Sequence, residues 1–258
     1  MSVHPTAIVD PKARLASSVR VGPYAVIGAE VEIGEETEIG AHAVVEGPIR
    51  IGRRNRIFPF ASLGLIPQDL KFRGEHSEVI IGDDNRIREF VTIHRGTTGG
   101  GALTKIGNDN LLMAYVHIAH DCILGDHLIL GNAATLAGHV VIEDYATLGA
   151  FCGVHQFCRI GRHAFIGGYS VITQDVLPYS RTVHERETKV YGVNVVGLRR
   201  RGFSEERIER LHQAMRLLTQ SKLNTSQALE KIRATLDQDE DVRALVKFVE
   251  SAERGVIK

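Results

Sequence analysis

The chain has 258 residues, with 31 Lys and Arg against 31 Asp and Glu, 43% hydrophobic residues, 6% aromatics, no Trp and 26 glycines. Zero formal charge argues against a general nucleic-acid or membrane-surface binder, which needs a basic excess to displace counterions. The N-terminal MSVHPTAIVDPK has no apolar core of signal type, and no stretch reaches the roughly 18 apolar residues of a membrane helix. Three cysteines without CxxC spacing exclude a disulfide framework and a zinc finger, and fit a reducing, cytoplasmic compartment.

From the N-terminus, aliphatics recur at every sixth position: Val9, Leu15, Val21, Ile27, Ile33, Ile39, Val45, Ile51, Ile57 and Leu63. Glycine often follows them (Gly22, Gly28, Gly34, Gly40, Gly52, Gly64), and the residue four along is small or apolar, as at Ala13, Ala25 and Ala43. The period returns at Ile81, Ile87 and Ile93, then runs shifted by one from Ile106 through Ile118, Leu136 and Val154 to Ile172. Helix and strand have side-chain periods of 3.6 and 2, so neither explains a period of six. A prism-shaped parallel β-helix does. Three hexapeptides make one coil, each aliphatic points inward, and glycine is expected to supply the turn conformation. About eight coils stacked ~4.8 Å apart make a rod on the order of 40 Å long. Cys122, Cys152 and Cys158 each fall four residues after an aliphatic and read as inert core residues.

The period fails twice, near 65–78 in the polar GLIPQDLKFRGEHSEV and near 95–104 in the glycine-rich RGTTGGGALTK. Both read as loops leaving the rod, and loops on a rigid scaffold are where binding residues concentrate. The repeat stops after Pro178. From Ser204, a plausible N-cap, helical spacing begins with Ile208, Leu211, Met215 and Leu218. Two further helices follow Thr225 and Asp239. The expected organisation is a mainly β solenoid over 1–190 with a C-terminal α-helical domain over 191–258, which caps the open end of the coil or also binds a partner.

Twelve histidines are many for a chain with no metal motif. On an eighteen-residue coil His120, His139 and His155 fall at nearly one phase over three successive coils, and Gly138 lies one rung from His120. An imidazole beside a backbone N–H suits general-base attack on an acyl thioester, with the N–H holding the oxyanion. Asp121 can orient His120 only at a corner, because neighbours on a strand face opposite ways. The competing chemistry is three imidazoles holding zinc, as in β-helical carbonic anhydrases, although the HIAH cluster at 117–120 lacks their wider spacing. A structural solenoid with no site is the non-enzymatic alternative.

QDLKF (68–72), VTIHRGT (91–97), NLLMAYVHIAHDC (110–122), NAATLAGHV (132–140), VHQFCRIG (154–161) and GVNVVGLRRRGF (192–203) together resemble the UDP-N-acetylglucosamine O-acyltransferase family of hexapeptide-repeat acyltransferases, along the whole chain. The resemblance implies a left-handed coil. It also implies transfer of a (3R)-3-hydroxyacyl group from acyl carrier protein to the 3-hydroxyl of UDP-N-acetylglucosamine, the first step of lipid A biosynthesis. By the same resemblance His120 is the general base, Asp121 its partner and Gly138 the oxyanion donor. His117, His139 and His155 line the site, Gln156 lies beside the acyl pantetheine arm, and Asp69 and Lys71 contact sugar nucleotide and acyl group. Asn194, Arg200 and Arg201 make the nucleotide and phosphate contacts, for which arginine forks are suited. Gly168 matches the position that limits acyl length, where glycine favours a longer chain, with Phe165 and Tyr169 as bulky neighbours. No cofactor or metal is implied beyond the donor's phosphopantetheine. The family is homotrimeric, with sites between subunits, and Arg199, Arg200, Arg201, Arg207 and Arg210 are the expected basic rim for the acidic carrier protein. Two features depart from the family's pattern: Val196 stands where an acidic residue is common, and Ser180 to Lys189 lacks the usual Gly-Asn turn. Both fall at the nucleotide end, and they make a 3-amino UDP-sugar the alternative acceptor.

Overall fold

A computed structural model of the chain describes residues 1–184, 188–236 and 238–257. The hexapeptide period becomes a coil of short strands. From Ser2–Val3 to Val171–Ile172, successive strands are dealt in rotation to three parallel sheets. The first sheet starts at Ser2–Val3, the second at Ile8–Val9 and the third at Arg14–Leu15. In most strands the second residue faces the axis, so Ile27, Val45, Leu112, Ile118, Leu136, Leu148 and Ile166 are buried. An aliphatic prism with no Trp and few rings inside it follows from the small cross-section. The two breaks also appear: Ile51 pairs with Ile81, thirty residues on, and Ile81 with Ile106, twenty-five on, instead of eighteen. The extra chain leaves the rod between Ser62–Leu65 and Glu78–Ile81, and between Thr92–His94 and Leu103–Ile106.

The expected role of glycine is corrected. Of the six glycines that follow an inward aliphatic only Gly64 (φ 79°), at the first break, takes the left-handed conformation; elsewhere the left-handed corner falls two residues later, on Tyr24, Glu36, His42 and Arg54 (φ 54–59°) and their successors. Glycine is required for coil spacing. A Cβ at Gly34 would lie 2.8 Å from the Gly52 carbonyl carbon, and one at Gly40 would lie 2.7 Å from Pro59 N. The corner has a second consequence. At most corners the residue two past the inward aliphatic has no backbone acceptor for its N–H among the described residues, Arg95, whose N–H donates to Leu65 O at 3.0 Å, being an exception at the second break. Pro5, Pro11, Pro23 and Pro59 stand there, where a missing donor costs nothing. At several others a side chain of a neighbouring coil accepts it: Asp83 takes Arg53 N–H at 2.8 Å, Asp144 takes Asp126 N–H at 2.9 Å and Glu143 takes Arg162 N–H at 2.9 Å.

The left-handed residues form ladders along the three edges. Tyr24, His42, Phe60, Phe90 and Tyr115 stack at 4.9–5.2 Å on the edge from first to second sheet. His127, Tyr145, His163 and Tyr179 stack on the edge from third to first. Asp121, His139 and Phe157 follow one another from second to third.

Past the coil, strands Ser180–His184 and Thr188–Val193 form an antiparallel hairpin on the end of the first sheet. Residues 185–187, within the segment expected to alter nucleotide recognition, lie outside the described residues. Four helices follow: α1 (Val195–Arg200), α2 (Glu205–Thr219), α3 (Thr225–Leu236) and α4 (Glu240–Glu250). The expected cap at Ser204 is present, accepting from Arg207 N–H, and α4 is capped by Asp239, which accepts from Asp241 and Val242 N–H. Helix α1 was too short to show a period. Ile208, Leu211, Met215, Leu218, Ile232, Val242, Leu245 and Val249 are buried in one apolar core. No helix among the described residues is long and apolar enough to cross a membrane.

Candidate active site

The edge from second to third sheet gathers the chemistry. Strand His117–Ile118 ends at Ala119, His120 and Asp121, and at Asp121 a φ of 61° breaks strand alternation. Neighbours that would point apart therefore converge, and His120 Nδ1 lies 2.8 Å from Asp121 Oδ2. The Asp121 carboxylate is fully buried. Thr97 donates its N–H to Oδ1 at 2.8 Å and its hydroxyl to Oδ2 at 2.6 Å, while Thr104 Oγ1 accepts Asp121 N–H. The second excursion thus wraps the carboxylate.

One coil on, Gly138 lies under the imidazole. A Cβ there would approach His120 Cε1 to 2.5 Å and Nε2 to 2.8 Å, so no other residue leaves the ring its place. Gly138 is also two past an inward aliphatic, Leu136, and its N–H has no acceptor among the described residues. His139, next along, sets its ring at right angles to His120 with centroids 5.2 Å apart, and Nε2 is 3.8 Å from Asp121 Oδ2. Burial pushes the His139 imidazole below its ordinary value, with the His120 charge acting the same way and Asp121 and Asp69 opposing. Asp69 belongs to the first excursion. Its Oδ1 accepts Lys71 N–H at 2.9 Å, and Lys71 is exposed.

His117 is brought in from one coil face, its Nδ1 2.7 Å from Thr92 Oγ1. Burial lowers it, with His120 adding. Beside it stands His94, which the sequence reading did not single out. It is buried, edge-on to His117 at 5.1 Å, and pushed down to about 4 by burial, helped by His117 and His120. Its Nδ1 has no partner among the described residues. The available signal was its position, directly after the inward Ile93 and just before the glycine-rich break.

His155 sits differently from its phase-mates. His139 stacks on Phe157 at 4.4 Å, while His155 Nδ1 lies 3.2 Å from Arg254 Nη1, which donates to the Gln156 carbonyl at 2.9 Å. The C-terminal segment therefore reaches this end of the edge. Gly168 is exposed, and a Cβ on it would meet Ala150 O at 3.0 Å.

Asn194, Arg200 and Arg201 are not brought to His120 within one chain. They line a cleft of about 640 Å³ against the outer face of the first sheet, with Phe165, Arg181 and Val196. Asn194 caps α1, its Oδ1 accepting from Gly197 N–H and its Nδ2 donating to His163 O. Arg201 lies over the Tyr145 ring at 4.7 Å. Of the expected basic rim, Arg199 pairs with Glu205, Arg207 with Asp241 and Arg210 with Asp239, all three guanidiniums remaining partly exposed. Burial pushes the Cys122 thiol up to about 12 and Cys158 to about 11, far from thiolate chemistry.

Ligand atoms of His120, Asp121 and His139 lie within 4.8 Å of one another. The three-imidazole zinc set is not assembled there, because His155, the third phase-aligned histidine, is not in this group and lies instead against Arg254. The arrangement instead favours proton transfer: an imidazole whose Nδ1 is committed to a buried carboxylate, with Nε2 above an unpaired backbone N–H.

The chain resembles known proteins along its whole length. Residues 175–257 match the family model described as UDP N-acetylglucosamine O-acyltransferase, domain 2. Residues 12–47, 103–138 and 139–174 match the bacterial transferase hexapeptide model. The chain is 51% identical to the acyl-[acyl-carrier-protein]--UDP-N-acetylglucosamine O-acyltransferase of Myxococcus xanthus and 53% to that of Halorhodospira halophila, over 99% of this chain and of each relative. It superposes on the UDP-N-acetylglucosamine acyltransferase of Bacteroides fragilis with a TM-score of 0.97 at 43% identity, covering 99% of this chain and 100% of that one.

Proposed function

The chain belongs to the UDP-N-acetylglucosamine O-acyltransferase family of left-handed parallel β-helix enzymes, and we propose that it moves a (3R)-3-hydroxyacyl group from acyl carrier protein to the 3-hydroxyl of UDP-N-acetylglucosamine, opening lipid A biosynthesis, with His120 as general base. His120 Nε2 takes the hydroxyl proton as the sugar oxygen attacks the thioester carbonyl. Gly138 N–H holds the oxyanion of the tetrahedral intermediate, the C–S bond breaks, and the imidazolium returns the proton to the departing thiolate. Asp121 stabilises the imidazolium. His117, His139, Asp69 and Lys71 border the sugar and acyl groups, while Gln156 and His155 border the pantetheine arm. Gly168 leaves room for a longer acyl chain.

Asn194, Arg200 and Arg201 serve the nucleotide. Because their cleft and His120 lie on different sides of one chain, a single sugar nucleotide that touches both requires a second copy, and a homotrimer supplies it. Leu70, 96% exposed at the first excursion, is the apolar residue such a neighbour covers. The reaction needs no metal or cofactor beyond the donor's own arm, and the carrier-protein donor places it in the cytoplasm.

The single observation carrying this reading is His120 fixed between the buried Asp121 carboxylate and the Gly138 backbone. Mass spectrometry of products from UDP-N-acetylglucosamine and 3-hydroxyacyl carrier proteins of graded length tests it. One dominant 3-O-acyl product is expected, and His120→Ala lowers kcat by ~10² to 10⁴. Product from a 3-amino UDP-sugar alone would overturn the acceptor; full activity of the variant would overturn the base.

A further inference from the structure

The glycine-rich excursion between Thr92–His94 and Leu103–Ile106 makes its closest approach at Asp121. Its chain doubles back on one residue: Thr97 O accepts the N–H groups of Gly100 at 3.0 Å and Ala102 at 2.7 Å. That turn aims both Thr97 donors inward, N–H at Asp121 Oδ1 (2.8 Å) and hydroxyl at Oδ2 (2.6 Å). Glycine is demanded by the same contact. A Cβ on Gly100 would lie 2.1 Å from Asp121 Cγ, and one on Gly96 would lie 2.8 Å from Oδ1. Thr104, where the chain rejoins the coil, takes Asp121 N–H through its hydroxyl at 2.9 Å. Among the described residues the carboxylate has one further hydrogen-bond partner, His120 Nδ1, with His139 Nε2 farther off at 3.8 Å, and its side chain is shut off from solvent.

We propose that Thr97 is a positioning residue of the acyl transfer, acting through Asp121 on the His120 ring; the inference rests on His120 being the base. A carboxylate bound only by the imidazole can turn about its Cβ–Cγ bond, and the ring turns with it. Two donors from one residue, one on each oxygen, fix the carboxylate plane. Oδ2 then stays on the Nδ1 side, which keeps that nitrogen protonated and leaves Nε2 as the acceptor above Gly138. The excursion is thus a clasp on the dyad.

Thr97→Val keeps shape and backbone N–H but removes the hydroxyl. It should lower kcat about tenfold with KM for both substrates within about twofold, the pattern of a contact that matters only in the transition state. Thr97→Ser restores the hydroxyl and should recover most of kcat. In an Asp121→Asn background Thr97→Val should add almost nothing, because the residue it acts through has already changed. Thermal melts on all variants separate this from a folding defect. A lowered melting temperature with unchanged kcat, or a Thr97→Val loss that persists in full in Asp121→Asn, overturns the proposal. His120→Ala run alongside keeps the two ideas apart: if His120→Ala is dead and Thr97→Val fully active, the clasp is wrong and the base stands; if His120→Ala is active, the base itself is wrong.

Discussion

His94 and His163 are both held neutral in the folded chain, pushed from 6.5 to about 4 by burial. For His163 the nearby Arg201, Arg162 and Arg207 add to the effect. Between those two values the unfolded chain binds protons that the folded chain refuses, so stability falls as pH drops from 6.5 toward 4 and is unaffected by these groups above 6.5. Urea melts from pH 8 to 5 should show it. His163 stacks between Tyr145 and Tyr179 at 4.7 and 5.6 Å, so His163→Phe keeps the stack and should flatten part of the slope. An identical slope in the variant would remove His163 as a contributor. The same resistance to protonation, acting on His117 and His139, keeps the histidines around His120 uncharged at neutral pH, where an added positive charge would oppose formation of the imidazolium.

At the scale of elements, the coil closes its corners with a buried polar ladder. Asn85 donates its N–H and Nδ2 to Asn55 Oδ1, shares Nδ2 with Gly107 O, and accepts Asn110 N–H, all at 2.9–3.0 Å. Thr37 starts the series, and Asn110 ends it on Leu128 N–H. Each Asn does for one corner what a backbone carbonyl does within a strand. Asn85→Ala leaves Gly107 O and Asn110 N–H buried without partners, which should cost about 2–3 kcal/mol; chemical denaturation measures it, and a loss below 0.5 kcal/mol (roughly a neutral surface change) would mean water fills the gap. In the helical tail three arginines of the expected basic rim, Arg199, Arg207 and Arg210, also make ion pairs within the chain. Charge runs are visible in a sequence, but the partners Asp239 and Asp241, some thirty residues on from Arg207 and Arg210, are joined to them only by the packing of α4 against α2.

For the whole molecule the three edges have separate tasks: exposed rings on one, the proton-transfer cluster on another, and on the third a ring stack running into the helical tail. Cleft and base on different sides of one chain lead to a complementation test. Purified His120→Ala and Arg200→Ala/Arg201→Ala proteins, each weak alone, should regain a measurable fraction of activity after joint unfolding and refolding, because mixed oligomers contain some sites built from intact halves. No recovery at any mixing ratio would mean that each site is built within one chain.

The solenoid, its two breaks and the three long helices are legible from residue order because each depends on a local repeat: six for the coil, 3.6 for the helices. The phase that aligns His120 with Gly138 is legible for the same reason, since equal sequence spacing in a coil is equal spatial spacing. Other features depend on where chain outside the repeat returns, and no period records that. His94 beside His117, Thr97 on Asp121, Arg254 on Gln156 and the pairing of Arg207 with Asp241 all join residues through excursions or tail packing. Even the glycines show the limit: their regular spacing marked the corners, but only stacked coils reveal that they make room for the neighbouring backbone while bulkier residues take the left-handed turn.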